Sequence, residues 1–543
     1  MDERLSPLVC VPAVCRVLVA KFTVRSVRWL HPLGTCHRGA RAGPGAIALR
    51  ARAGMPARSG GSSSADGVQT SHKPLVHTSG KPSEGDLTLL VQPPPPPQQQ
   101  QRPRRPSSRC LAAAAAVLLL LCFHWERPVG DINAGGMAAT DARFVYEGRW
   151  LRGESSAEAD WPCSSVRFAV GTGGRTTAAV TLVCSGVRVR LNATVHDGEG
   201  AVLAAHTLKA PAWDVPFLGP HRAKLPLPEA AAEVRLRKLS CAAPFQTGIG
   251  QVLTASKVTF HGVLLEGGAV IGDTAPSPPA RRLQVIGASD TAGFCVDGSE
   301  KEAFWQSALY GWSRSNCDFA YPALLGRRLG ASVSVQGQAS IGLTQNAMAS
   351  QPYLVGPAAM PTLFARTLLT DARHRWPARG DLAPGDRDLA LGDPGELARE
   401  IETESSPHLV VTSLGGNDYN HQGGDTPSNA SFTAASAAFT DSLFERYANP
   451  ELVVIHICGM GSPAEAAFDP DNNRCRPCPH VRDATTAYVA ANPTRRVHYL
   501  LVPCNGSVVD DVGDIGCNGH KNRLGQAQVA DFLEPRIRSI MGW

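Results

Sequence analysis

The chain has 543 residues, room for two to four domains of ~100–200 residues each. With 43% hydrophobic and 18% charged residues it is neither wholly disordered nor a multi-span transporter. The net charge of +6 is uneven: residues 1–109 hold 16 Lys and Arg against 5 Asp and Glu, and the other 434 hold 37 against 42. The larger part is therefore acidic, which removes the main support for a nucleic-acid partner, and none is expected.

Residues 1–109 show no sustained periodicity and contain Gly60-Gly61-Ser62-Ser63-Ser64, the run Pro93 to Pro97 and the run Gln98 to Gln101. Such runs favour flexible coil or extended polyproline conformation and supply no packed core, so the stretch reads as a disordered tail. From Arg4 to Ala65 it carries nine arginines, one lysine and no acid, a composition that also resembles an organelle transit peptide.

Residues 110–123 (CLAAAAAVLLLLCF) are uninterrupted apolar residues preceded by Arg102, Arg104, Arg105 and Arg109. Fourteen residues rise about 21 Å as helix, short of a ~30 Å hydrocarbon core. The length suits a signal peptide with its basic side in the cytosol, and Gly136-Met137-Ala138 is a candidate cleavage site. With Trp125 as an interfacial anchor, an uncleaved signal-anchor is equally compatible, which makes the membrane a partner through this one segment. Either way the rest of the chain is expected in the secretory lumen or outside the cell. Ten of the 15 cysteines lie beyond residue 130, an even number that permits up to five disulfides there. Asn192, Asn429 and Asn505 each begin an Asn-Xaa-Ser/Thr glycosylation sequon. Cys475-Arg476-Pro477-Cys478 reads as structural disulfide cysteines. A redox pair or half a zinc site is the alternative, but no second CxxC or paired His completes a zinc site.

Between residues 142 and 272 short alternating strands are separated by Gly and Pro turns, for example Val187 to Asn192, Val234 to Arg237 and Lys257 to Val263. The pattern predicts an all-β sandwich, jelly-roll-like in kind, closed by a linker at residues 274–280. From residue 282 to 543 near-continuous apolar strands alternate with helices. The strands are Leu283 to Gly287, Leu409 to Leu414, Leu452 to Ile457 and Val497 to Val502; the helices are Met360 to Trp376, Ser431 to Ala448 and Arg523 to Ile540. This predicts an α/β domain built on a parallel sheet, with an insertion at residues 378–404 and its chemistry at the strands' C-terminal ends.

Four places fit that position. Ser289 follows the first strand, Gly342 lies in Ser340-Ile341-Gly342-Leu343-Thr344-Gln345-Asn346, Asn417 follows Gly415-Gly416, and His520 precedes the last helix. Acyl transfer needs a nucleophile, a base within reach and donors aimed at the oxyanion; Ser289, His520, and Gly342 with Asn417 supply the three. No ligand spacing suggests a metal or organic cofactor. His456 is expected in or beside a strand core, and Phe304, Trp305 and Trp376 as packing residues.

These blocks, in this order, resemble the SGNH (GDSL-like) hydrolases, and more closely carbohydrate esterase family two, which places a β-sandwich before the hydrolase domain. Tyr146-Glu147-Gly148-Arg149 and Val187 to Asn192 resemble that sandwich, and the likeness spans about residues 142–543. It implies an acetylesterase acting on acetylated carbohydrate, with Ser289 as nucleophile, His520 as base, and Gly342 N–H, Ser289 N–H and Asn417 Nδ2 in the oxyanion hole. Alternatives are a glycan O-acetyltransferase or lipid acyl hydrolase on the same residues, or a carbohydrate-binding protein without catalysis. Three departures stand out. Ala288 replaces the family's Asp before the serine, Cys517 stands three residues before His520, where the family has its acid, and Lys521 takes the place of the Pro that commonly follows the His. Cys517 is expected to pair with Cys504. A main-chain carbonyl, or one of Asp510, Asp511 and Asp514, with Asp514 nearest in sequence, is left to orient the histidine.

Overall fold

The computed structural model describes residues 136–208, 220–241, 256–299, 311–347, 356–376, 406–420, 425–447, 449–461, 475–510 and 513–543. The tail, the apolar run at 110–123, Phe304, Trp305, the insertion at 378–404 and Asp511 lie outside the described residues.

Twelve strands come first, β1 (Gly136–Ala138), β2 (Val145–Glu147), β3 (Leu151–Arg152), β4 (Ala157–Ala159), β5 (Ser165–Gly171), β6 (Ala179–Val187), β7 (Leu191–His196), β8 (Val202–Leu208), β9 (His221–Pro226), β10 (Glu233–Lys238), β11 (Lys257–Glu266) and β12 (Val270–Ile271). They form two antiparallel sheets, one in the order β3-β4-β11-β6-β9 with β1 added to β11, the other β12-β5-β10-β7-β8 with β2 added to β5. The buried faces of both sheets share one apolar core that includes Phe144, Phe168, Val180, Leu191, Leu236 and Phe260. Period-two alternation is clean in β7 and β10, whose residues switch between buried and half-buried at every step. The predicted strand Val187 to Asn192 is instead the corner where the chain passes from one sheet to the other: β6 ends at Val187, Arg188 takes φ 47°, and β7 starts at Leu191. Gly136-Met137-Ala138, the candidate cleavage site, is strand β1 with Met137 buried, so cleavage after Ala138 would remove a paired strand.

The second part is a parallel sheet of β13 (Arg281–Gly287), β14 (Ala331–Gly337), β15 (Leu409–Ser413), β16 (Val453–Gly459) and β17 (Arg496–Val502), in the order β14-β13-β15-β16-β17. Around it lie α1 (Ser289–Ala292), α2 (Tyr321–Leu329), α3 (Met360–Phe364), α4 (Asn429–Tyr447), α5 (Cys478–Ala491) and α6 (Arg523–Met541). Separate apolar cores fill the two faces of the sheet, one against α4 and α5 and the other against α2 and α6. In a sheet of this order ligands bind at the crevice where the winding reverses, here between the ends of β13 and β15.

The helix predicted over Met360 to Trp376 stops at Phe364. The Arg149 guanidinium donates to the carbonyls of Phe364 and Arg366, and the buried Asp160 carboxylate accepts from Leu369 N–H (2.7 Å) and Thr370 N–H (2.8 Å). Two side chains from the β-sheet part thus take the main-chain groups a longer helix would use. Trp376 does pack, under the Arg149 guanidinium at 5.3 Å. The disulfide Cys163–Cys317 and the ion pair Arg237–Asp318 (2.8 Å) add further ties between the two parts.

His456 sits in β16, buried, with Nδ1 2.6 Å from Thr412 Oγ1 and Nε2 3.2 Å from Thr440 Oγ1. Burial pushes its imidazole down to about 4. Between pH 6.5 and 4 the unfolded chain takes up a proton that the folded chain refuses, so stability is present above that window and lost as pH falls through it. Denaturant unfolding should show stability about 2 kcal/mol lower at pH 5 than at pH 7 from this group. His456→Gln should flatten that difference, and an unchanged pH slope in the variant would disprove the assignment.

Candidate active site

Strand β13 delivers Ser289. Its buried run ends at Gly287, where a Cβ would collide with the Thr291 side chain, so only glycine lets α1 fold back against the strand end. Thr291 Oγ1 in turn meets Tyr321 Oη at 2.8 Å, which fixes the short helix against α2. Ser289 opens α1 and is about nine-tenths buried (9% exposed). His520 arrives from a tight turn over Cys517–Gly519, with Asn518 at φ 54°, just before α6. Asn522 caps that helix by accepting from Leu524 N–H (2.9 Å) and Gly525 N–H (3.2 Å). The result is a hydrogen bond of 2.7 Å between Ser289 Oγ and His520 Nε2, across 231 residues of sequence. The Phe294 ring stands edge-on to the imidazole at 5.0 Å.

Each residue that follows the pair is also joined to the other turn. Asp290 and Lys521 form a buried ion pair at 3.1 Å. Gln526 of α6 donates to Asp290 O (3.2 Å) and accepts from Tyr321 N–H (2.9 Å). Cys517 bonds to Cys295, not to Cys504 as expected from their nearness in the chain. Cys504 pairs with Cys475, and Cys458 with Cys478, so the CxxC cysteines belong to two different disulfides. The reason is positional: the turn that presents His520 lies against the loop after α1, and Cys241, Ala292, Phe294, Ala339 and the Cys295–Cys517 bridge form one small core there. Cys184 and Cys241 are unbridged and lie in different cores.

The turn carrying Gly342 is fastened to the end of β15. Asp418, fully buried, accepts from Leu343 N–H (2.8 Å), Thr344 Oγ1 (2.6 Å) and the N–H groups of Thr344 and Gln345. A Cβ on residue 342 would collide with the Asp418 carboxylate and with Gln345 O. The Gly342 N–H donates to Asn346 Oδ1 at 3.1 Å and so is already engaged, against the expectation that it faces an oxyanion. Asn417 Nδ2 donates one proton to Ile341 O at 2.9 Å. Ser340, in the same turn, holds φ 64°, a conformation that favours glycine. Its N–H and that of Ser289 have no acceptor among the described residues. Ser340 is not a glycine, so its positive φ carries no mark in the sequence.

Of the three candidate acids, Asp514 is buried, with its carboxylate accepting from Asp510 N–H (2.9 Å) and, with the amide turned to donate, from Gln528 (2.7 Å). Those bonds tie it to Asp510 and to Gln528 of α6.

The sequons differ in setting. Asn192 lies in β7 with Nδ2 donating to the buried Asp318 at 2.7 Å, a poor acceptor site in the folded chain, whereas Asn429 and Asn505 are exposed. Glycosidase treatment of protein from a secretory host should lower its mass through Asn429 and Asn505. Asn192→Gln should leave that mass change unaltered, and a smaller shift in this variant would place a glycan on β7. No helix among the described residues is long and apolar enough to cross a membrane.

No protein-family model matches the chain, and no curated protein matches it in sequence. Solved structures do match. A family two carbohydrate esterase from Clostridium thermocellum, in complex with cellohexaose, is 19% identical with a TM-score of 0.53 over 74% of this chain and 99% of that one. A carbohydrate esterase family 2 enzyme from Corynascus thermopiles is 21% identical with a TM-score of 0.52 over 74% and 100%. An acetyl xylan esterase from Butyrivibrio proteoclasticus is 15% identical with a TM-score of 0.51 over 75% and 97%. Identities this low establish architecture and not activity, and the architecture that the chain shares with these enzymes is an SGNH-hydrolase-like fold.

Proposed function

We propose that the chain is a serine esterase that removes O-acetyl groups from carbohydrate hydroxyls, with Ser289 as nucleophile and His520 as general base. The observation that carries this reading is the 2.7 Å contact of Ser289 Oγ with His520 Nε2 at the winding reversal of a parallel sheet. Ser289 Oγ attacks the acetyl carbonyl as His520 takes its proton. His520 then protonates the departing sugar oxygen, and a water activated by the same imidazole releases acetate from the acyl-enzyme. With Gly342 N–H held by Asn346, the oxyanion donors are the N–H groups of Ser289 and Ser340 and the second proton of Asn417 Nδ2. Four disulfides support an oxidising compartment, the secretory lumen or the cell exterior. The acetyl xylan esterase and the cellohexaose complex among the similar structures support a carbohydrate substrate.

The test is turnover of a chromogenic acetate ester and of acetylated oligosaccharides by the chain, beside Ser289→Ala. Equal turnover by both proteins discards the mechanism.

A further inference from the structure

The Ser289 turn and the His520 turn are crosslinked twice, at points that bracket the pair. On one side Lys521, one residue after His520, is ion-paired with Asp290, one residue after Ser289, at 3.1 Å. On the other, Cys517, three residues before His520, is bonded to Cys295, six residues after Ser289. We propose that these two crosslinks position the main chain that carries His520, and so the imidazole, against Ser289; the inference rests on the Ser289–His520 reading above.

A triad carboxylate does two things: it holds the imidazole in one orientation and tautomer, and it stabilises the imidazolium that forms. Either role needs the main chain that carries the imidazole to be held as well. Orientation is supplied by the bridge and what surrounds it. Gly516 N–H donates to His520 O at 2.6 Å and His520 N–H donates to Cys517 O at 3.2 Å, so residues 516–520 close into a small ring whose fixed point is Cys517. The partner cysteine follows Phe294 directly, and Phe294 sets its ring edge-on to the imidazole at 5.0 Å. One covalent bond therefore fixes both the backbone that carries His520 and the ring that flanks it.

The ion pair fixes the other end. Lys521 is 1% exposed and Asp290 8% exposed. Taking two charges out of water offsets most of their attraction, so such a pair adds little net stability while holding its two chains in register. The register held here is that of residues 290 and 521, each adjacent to a member of the reacting pair. Lys521 N–H also faces Asp290 Oδ1 at 3.4 Å, which brings the main chain next to His520 into the same clamp. Asp290 and Lys521 touch no reacting atom and are positioning residues, as are the two cysteines.

Misplacing a catalytic group by about 1 Å costs up to a hundredfold in rate with little change in substrate binding. The full chain is compared with Cys295→Ala/Cys517→Ala, Lys521→Met and Lys521→Arg on a chromogenic acetate ester. Each rate is divided by the active sites titrated with a fluorophosphonate. A merely structural role lowers the titratable fraction and the Tm but leaves kcat per titrated site intact. The expected result is a fall in kcat per site of about tenfold or more in the cysteine variant and in Lys521→Met, with KM within about threefold. Lys521→Arg, which keeps the charge, should recover most of the rate. Values of kcat per site within twofold of wild type in both disrupted proteins overturn the inference. If the cysteine variant does not fold, the Lys521 pair decides alone. A wild-type chain that neither reacts with the fluorophosphonate nor turns over the ester sinks the esterase reading itself, which the variant results cannot do.

Discussion

Ser289→Ala should lower kcat on an acetate ester by about a thousandfold or more, and His520→Ala should do nearly the same, with KM changed little in either. In the proposed mechanism the two residues act as a unit, because the hydroxyl is a weak nucleophile until the imidazole 2.7 Å away accepts its proton. The double variant should therefore be scarcely slower than either single one. Multiplicative losses would show that the two side chains serve separate steps. Asp514→Asn is the informative contrast. In a serine protease the loss of the triad acid costs about ten-thousandfold, so an orienting Asp514 would reveal itself plainly. Its carboxylate instead braces Asp510 N–H and Gln528, and the variant is expected to lose stability while keeping kcat within about threefold of wild type. A hundredfold fall in kcat with folding intact would make Asp514 the third member.

What could be read from sequence follows the range over which each residue's partner lies. Strands β15 and β16 are nearly all apolar because both faces of the sheet are covered there, and such runs are legible one at a time. Strand β14 was not anticipated: Ser332 and Ser334 dilute its apolar residues, since it lies at the sheet's edge and most of it is half-buried. Its period-two alternation was the available signal. The overlong helix after Met360 has a different cause. Nothing between residues 360 and 376 forbids a helix; Arg149 and Asp160, more than two hundred residues upstream, capture the groups that would extend it. The site shows the same division. The candidate positions Ser289, Asn417 and His520 stand out in sequence because strand ends and turn glycines mark them. The pairing of Cys517 was not, because spacing along a chain does not determine which of several cysteines it meets. Nor was the engagement of Gly342 N–H, which depends on how Asn346 folds back over its own turn.

The turn that holds Ser340 and Gly342 depends on a single carboxylate, and Asp418→Ala should disable the protein through it. Asp418 is fully buried and gathers four donors, three of them the consecutive N–H groups of residues 343–345. Its removal leaves those donors buried and unmatched, a loss on the order of 3–5 kcal/mol in stability. The chemistry suffers further because Asn417 is the adjacent residue and grips Ile341 O at 2.9 Å, so the Ser340 N–H and the Asn417 amide move together when the turn loosens. Loss of one oxyanion donor alone costs about a hundred- to a thousandfold in kcat, and the surviving folded fraction of Asp418→Ala should fall in that range. Gly342→Ala reaches the same end from the opposite side, by driving a methyl group into the Asp418 carboxylate and Gln345 O. Gly416→Ala is the matched control: a Cβ there meets nothing within 4 Å, so Tm should shift by no more than a degree or two. If Gly342→Ala kept both the Tm and the kcat of wild type, the Asp418 clamp could not be what holds the Ser340–Gly342 turn in place.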